Sequence, residues 1–116
     1  MYKYYVEKRK HKRIPAVILV DLYTPDNSLY LGRGCITDIS FGGMQIETKE
    51  KIDESNVSLK FFLSTGVKFE NIHARIVRTT KTSFTYIYGL KFLSMNLFDK
   101  LRLWLFIHTK LWHEKK

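Results

Sequence analysis

Between Ile14 and Leu93 apolar residues come in short alternating runs cut by turn residues, and after Leu93 the period lengthens to that of a helix. That switch leaves few folds open: a small all-β body followed by one helix. Ile14–Tyr23 (IPAVILVDLY) is apolar and β-branched, with Pro15 near its start, where a missing ladder donor does least harm. TPDNS at 24–28 is a turn cluster. A second strand over Leu29–Ile39 (LYLGRGCITDI) is interrupted by Gly32 and Gly34, a mark of bulges or close backbone approach. SFGG at 40–43 is a tight connection, and MQIET at 44–48 a third strand. Val57, Leu59, Phe61 and Leu63 line one face of a fourth strand. Lys68–Thr79 is a fifth, irregular near Asn71, and Phe84–Leu93 a sixth, with aromatics at 84, 86 and 88. Six strands with short turns predict a small sandwich or barrel.

In the tail, Leu97, Leu101, Trp104, Leu105, Leu111 and Trp112 fall on one helical face, the main apolar one. Asn96 suits the N-cap, and Asp99 sits in the first turn, where the helix dipole favours a carboxylate. Leu103, Phe106 and Ile107 lie off that face, so the helix is apolar on more than one side. Two outcomes stay open: it covers the barrel and also meets another subunit or partner, or it buries both sides in the barrel mouth.

The 116 residues fit one domain. The longest apolar run near the C-terminus is Leu103–Ile107, far short of the roughly 20 residues of a membrane span. No apolar segment precedes the basic run at 8–13, so no secretory signal is read and a cytoplasmic setting is expected. A single cysteine, Cys35, excludes an internal disulfide and the multi-cysteine zinc sites; its place in a strand reads as a buried small hydrophobe. Net charge is +9, which favours an acidic partner. No phosphate-binding glycine loop, dinucleotide fingerprint or metal-ligand spacing is present, and no acid pair suggests general acid–base work. The chain gives no positive case for an enzyme or a cofactor.

Two patterns carry chemistry. Arg9-Lys10-His11-Lys12-Arg13 is an RxxxR before the first strand. Two guanidiniums four residues apart can converge on one anion, each offering a fork of donors for phosphate and a flat face for a base. Asp38-Ile39-Ser40-Phe41-Gly42-Gly43 is a DxSxxG between the second and third strands. In extended chain Asp38 and Ser40 point to one side; a carboxylate can accept from the N1–H and N2–H2 edge of guanine, and a hydroxyl can donate or accept. Gly42 and Gly43 permit a turn with positive φ and close ligand approach. A plain β-turn, with Asp38 and Ser40 bonded to local backbone, is the other reading.

In this order and separation the two patterns resemble the PilZ family of cyclic di-GMP receptors. Ala74-Arg75-Ile76-Val77-Arg78 looks like that family's late strand, and Tyr88-Gly89-Leu90-Lys91-Phe92 like its Gly-hydrophobic-x-Phe strand. The resemblance implies an all-β fold with a C-terminal helix, a six-stranded antiparallel β-barrel: one domain over 1–116, with a basic lead-in at 1–13, the barrel at 14–93 and the helix at 96–112. It implies that Arg9 and Arg13 hold phosphates and stack on guanine, that Asp38 and Ser40 read a guanine edge, and that Gly43 shapes the turn. Lys8 stands where relatives set whether one ligand or a stacked pair binds; Gly42 is peripheral. Arg78 either reaches the ligand's rim or is a solvated strand-end charge.

The expected function is then a bacterial receptor for cyclic di-GMP that does no catalysis. Its lead-in would order over the barrel and alter a protein partner in motility, biofilm or virulence control, with a homodimer through the helix as a further expectation. Two rivals remain. One is a basic β-barrel binding single-stranded nucleic acid through its cations and Tyr2, Tyr4 and Tyr5, the less favoured partner class. The other is an adaptor of the same fold that binds no ligand.

Overall fold

A computed structural model describes residues 14–63 and 66–114, with side chains at 18–63 and 66–109. Six strands follow one another: β1 (Ile14–Tyr23), β2 (Tyr30–Ile39), β3 (Gly43–Thr48), β4 (Asn56–Phe62), β5 (Lys68–Lys81) and β6 (Tyr86–Ser94), then the helix α1 (Leu97–Glu114). They close into a barrel in the order β1-β2-β3-β6-β5-β4, every neighbouring pair antiparallel. This is the six-stranded antiparallel barrel with a C-terminal helix that the family resemblance implies, and it decides between the sandwich and the barrel that the strand pattern left open.

Alternation builds the core. Val20, Leu22, Ile36, Ile46, Val57, Leu59, Phe61, Ala74, Tyr88 and Leu90 are buried within the barrel, and Phe61 and Phe69 stack at 5.0 Å. Buried Tyr88 keeps its polar end satisfied: its hydroxyl accepts from the Ile52 amide at 2.7 Å and donates to the Glu50 carbonyl at 3.3 Å, fastening the β3–β4 loop. The irregularity expected near Asn71 is a register shift against β4, with Asn71 at φ 57°. β2 bulges at Leu31 where it meets the end of β1, and the adjoining Gly32 takes φ 142°. The barrel closes through β1 and β4, which among the described residues pair over Val20–Tyr23; among those residues the first half of β1 has β2 as its strand neighbour.

Two expectations change. Phe84 stands outside β6, because the Thr82 hydroxyl accepts from the amides of Phe84 and Thr85 and closes a self-contained turn. Cys35 is half-buried and points away from the core: with Ile36 inside, strand alternation turns its neighbour out. A third finding concerns the helix. Asn96 caps it as expected, accepting the Asp99 amide at 2.8 Å. The buried face, however, is Asp99, Leu103 and Ile107, with Leu103 fully buried, whereas Leu97, Leu101, Trp104 and Leu105 are exposed. Arg102 decides the rotation. Its guanidinium pairs with Asp99, donates to the Lys68 carbonyl at 2.9 Å and lies over the Phe69 ring, which ties this side of α1 to the start of β5. Leu111 and Trp112 have side chains outside the described set.

Candidate functional site

The β2–β3 connection is built by one serine. Ser40 is buried, and its Oγ accepts from the amides of Gly42 and Gly43 at 3.3 and 3.2 Å and donates to the Gly43 carbonyl at 3.3 Å. The Ser40 amide also donates to the Gly43 carbonyl at 2.8 Å. The hydroxyl is thus engaged in the turn, the local alternative that the sequence left open for this residue. Gly42 accepts from the Phe92 amide at 2.9 Å, which ties the turn to β6.

Gly43 is needed for a reason other than the one expected. Its φ is not in the left-handed region; instead, a Cβ there would stand 2.0 Å from the Leu90 carbonyl oxygen. The close approach of β3 to β6, with Gly43 paired to Lys91, leaves no room for a side chain.

Asp38 sits just before this turn, half-buried, at a bulge where Thr37 is the extra residue against β3. The bulge lets Thr37 and Asp38 both attend to Gln45. On the other side, Pro15 pairs with Asp38 and Ile14 with Ile39. The chain that leaves Arg13 therefore enters the barrel as the strand neighbour of Asp38. Arg9 and Arg13, with Lys8 and the whole lead-in at 1–13, lie outside the described residues.

The register extends this row outward. Asp38 pairs with Gln45, Gln45 with Gly89, and Gly89 with Arg78, across β2, β3, β6 and β5. Along it the polar groups form a chain. Arg78 Nη2 donates to Gln45 Oε1 at 3.0 Å, Gln45 Nε2 donates to Thr37 Oγ1 at 3.1 Å, and the Thr37 hydroxyl donates to the Gln45 carbonyl at 3.2 Å. Arg78 is thus exposed, and its guanidinium is bonded to Gln45 of β3. Next to the row, Gly43 pairs with Lys91 and Lys91 with Arg75. Arg75, Arg78 and Lys91 are exposed, and among the described residues none pairs with a carboxylate. An outer face with three cations beside an aspartate suits a ligand that is anionic in one part and a hydrogen-bond donor in another.

Sequence reasoning singled out Asp38, Ser40, Gly43 and Arg78 and missed Thr37, Gln45 and Lys91. Gly89 was quoted only as part of a strand; a glycine inside a strand pattern is itself a sign of close approach. Among the described residues no group of His, Cys, Asp or Glu could hold a metal ion, and no helix is long and apolar enough to cross a membrane.

A family model of the PilZ domain matches residues 7–107. The chain belongs to the PilZ domain family. Among solved structures, the Bacillus subtilis inhibitor of motility (MotI/DgrA) superposes with a TM-score of 0.77 at 18% identity, over 96% of this chain and 55% of that one. YcgR from Escherichia coli, solved in complex with c-di-GMP, gives 0.73 at 22% identity, over 95% and 48%. MrkH from K. pneumonia, in its c-di-GMP complex, gives 0.74 at 16% identity, over 95% and 55%. The PilZ chain thus spans about half the length of these structural relatives, and at these identities the likeness is one of fold. A comparison with curated protein sequences finds no match.

Proposed function

We infer that this PilZ domain is a cytoplasmic bacterial receptor for cyclic di-GMP and does no chemistry on it. The observation that carries the reading is the register of β1, which delivers the chain from the RxxxR segment to Asp38, beside the cationic outer face. Membership of the family and the c-di-GMP complexes of YcgR and MrkH support it. In this reading Arg9 and Arg13 hold the phosphates and stack on guanine, and Asp38 accepts from a guanine N–H edge. Gly43 and Ser40 keep the turn that aims Asp38, with Gly42 at the margin. Ser40 reads the guanine only if its hydroxyl leaves the turn. Lys8 bears on whether one ligand or a stacked pair is held. Binding orders the lead-in and changes what a protein partner meets, with motility, biofilm or virulence control as the output. The exposed Leu97, Leu101, Trp104 and Leu105 face of α1 is the surface offered to that partner or to a second copy.

Calorimetric titration with cyclic di-GMP tests the reading on wild type, Arg13→Ala and Asp38→Ala. Saturable binding is expected, weakened at least about ten-fold in each variant, with GTP and cyclic di-AMP failing to compete. A silent wild type sinks the receptor reading, and equal binding in both variants sinks the site. Binding that falls steeply with salt and accepts any single strand would instead favour the nucleic-acid barrel. Sizing with and without ligand tests the homodimer.

A further inference from the structure

The guanidinium of Arg78 has an unusual seat. A Cβ built on Gly89 would lie 3.0 Å from Arg78 Cζ, 3.0 Å from Nη2 and 3.3 Å from Nη1. Three nearly equal distances put one face of the guanidinium against the glycine rather than an edge. Gly89 itself is buried beneath it, whereas Arg78 is exposed, so the opposite face is turned outward. The bond to Gln45 Oε1 holds the plane from the side, and Gln45 is in turn held by Thr37. The bulge at Val77, where β5 slips against β6, brings Arg78 opposite Gly89. Bulge, missing side chain and amide together lay a planar cation flat on the sheet.

We propose that Arg78 is a stacking platform for a purine ring of the bound ligand, made by Gly89 and steadied by Gln45. The proposal rests on the receptor reading and deepens it, assigning a place to the base that Asp38 does not read. Gly89 lies two strand spacings from Asp38 along the row, about 9–10 Å. A ligand with one guanine at Asp38 and a second purine beyond its phosphates extends that far. Arginine suits the task because its guanidinium is flat, weakly hydrated and stacks on aromatic faces, whereas an ammonium is a point charge.

The test is titration with cyclic di-GMP of wild type, Arg78→Ala, Arg78→Lys and Gly89→Ala, each checked for folding by thermal unfolding. Gly89→Ala meets only the far end of a flexible side chain, so it folds and displaces the guanidinium while keeping its charge. Arg78→Ala is expected to weaken binding about three- to thirty-fold, with Arg78→Lys and Gly89→Ala close to it. Full affinity in Arg78→Lys overturns the platform in favour of simple charge, and full affinity in Arg78→Ala overturns any ligand role. Should Gly89→Ala not fold, the alanine–lysine contrast still decides. A wild type that binds no cyclic di-GMP removes the receptor reading and this proposal together, a failure told apart because it precedes any substitution.

Discussion

At one end of β2 the chain turns through residues 24–29, and at the other through 40–43. The first turn is closed by a carboxylate. Asp26 Oδ1 accepts from the hydroxyls of Thr24 and Ser28, both at 2.7 Å, and from the Ser28 amide at 3.0 Å, and these bonds hold its pKa down to about 2. Asn27, at φ 63°, donates to Asn71 Oδ1 at 2.6 Å, so two left-handed asparagines brace this turn against β5. The second turn is closed by the neutral Ser40 hydroxyl, with Asp38 half-buried just before it. Both turns satisfy their backbone with a short side chain. One closes with a carboxylate; the other closes with a hydroxyl, and the carboxylate just before it stands at a surface with three cations. The same local chemistry therefore yields a brace at one end and a candidate site at the other.

Substitutions can break that contrast, and Gly43→Ala should have the largest effect. Its methyl meets the Leu90 carbonyl, so β3 must draw away from β6, at a cost of about 3 kcal/mol; thermal unfolding reads it, and cyclic di-GMP binding should fall with it. Ser40→Ala comes next. It removes the acceptor of two amides, costing about 1–2 kcal/mol, and a titration should show weaker cyclic di-GMP binding although Asp38 itself is unchanged. Asp26→Asn is the smallest, because the carboxylate is fully exposed: urea unfolding should show a slight loss of stability with binding unchanged. Its pH dependence sharpens the point. Asp26 is depressed below the ordinary 3.8, so its stabilisation is complete above that value and disappears as pH falls to about 2. In Asp26→Asn that part of the acid limb should be shallower, the remaining slope coming from groups such as Asp21, which the Arg33 bond also holds below 3.8; an unchanged limb would mean that the turn does not depend on Asp26.

The strands were legible because alternation and turn clusters are local signals, and so were Asn96 as cap and the irregularity at Asn71. The helix face was not. With apolar residues on nearly every side of α1, counting them cannot choose a rotation, and the choice fell to Arg102 and a carbonyl 34 residues away. Half of the site was legible in the same sense: Asp38, Ser40 and Gly43 form one local motif, although the demand on Gly43 comes from β6 rather than from φ. Gln45 and Arg78 meet across 33 residues, through a glycine on a third strand, and no local pattern announces such a meeting.

The short seam between β1 and β4 has a consequence for how the molecule breathes. Among the described residues β1 is zipped to β4 over Val20–Tyr23, and its first half is held in the sheet by β2. Amides there should exchange with solvent before those of any strand paired on both sides. That loose end is where the RxxxR segment joins the barrel. A molecule that grips the segment and Asp38 together would clasp the barrel shut, and its binding energy would appear directly as a higher melting temperature.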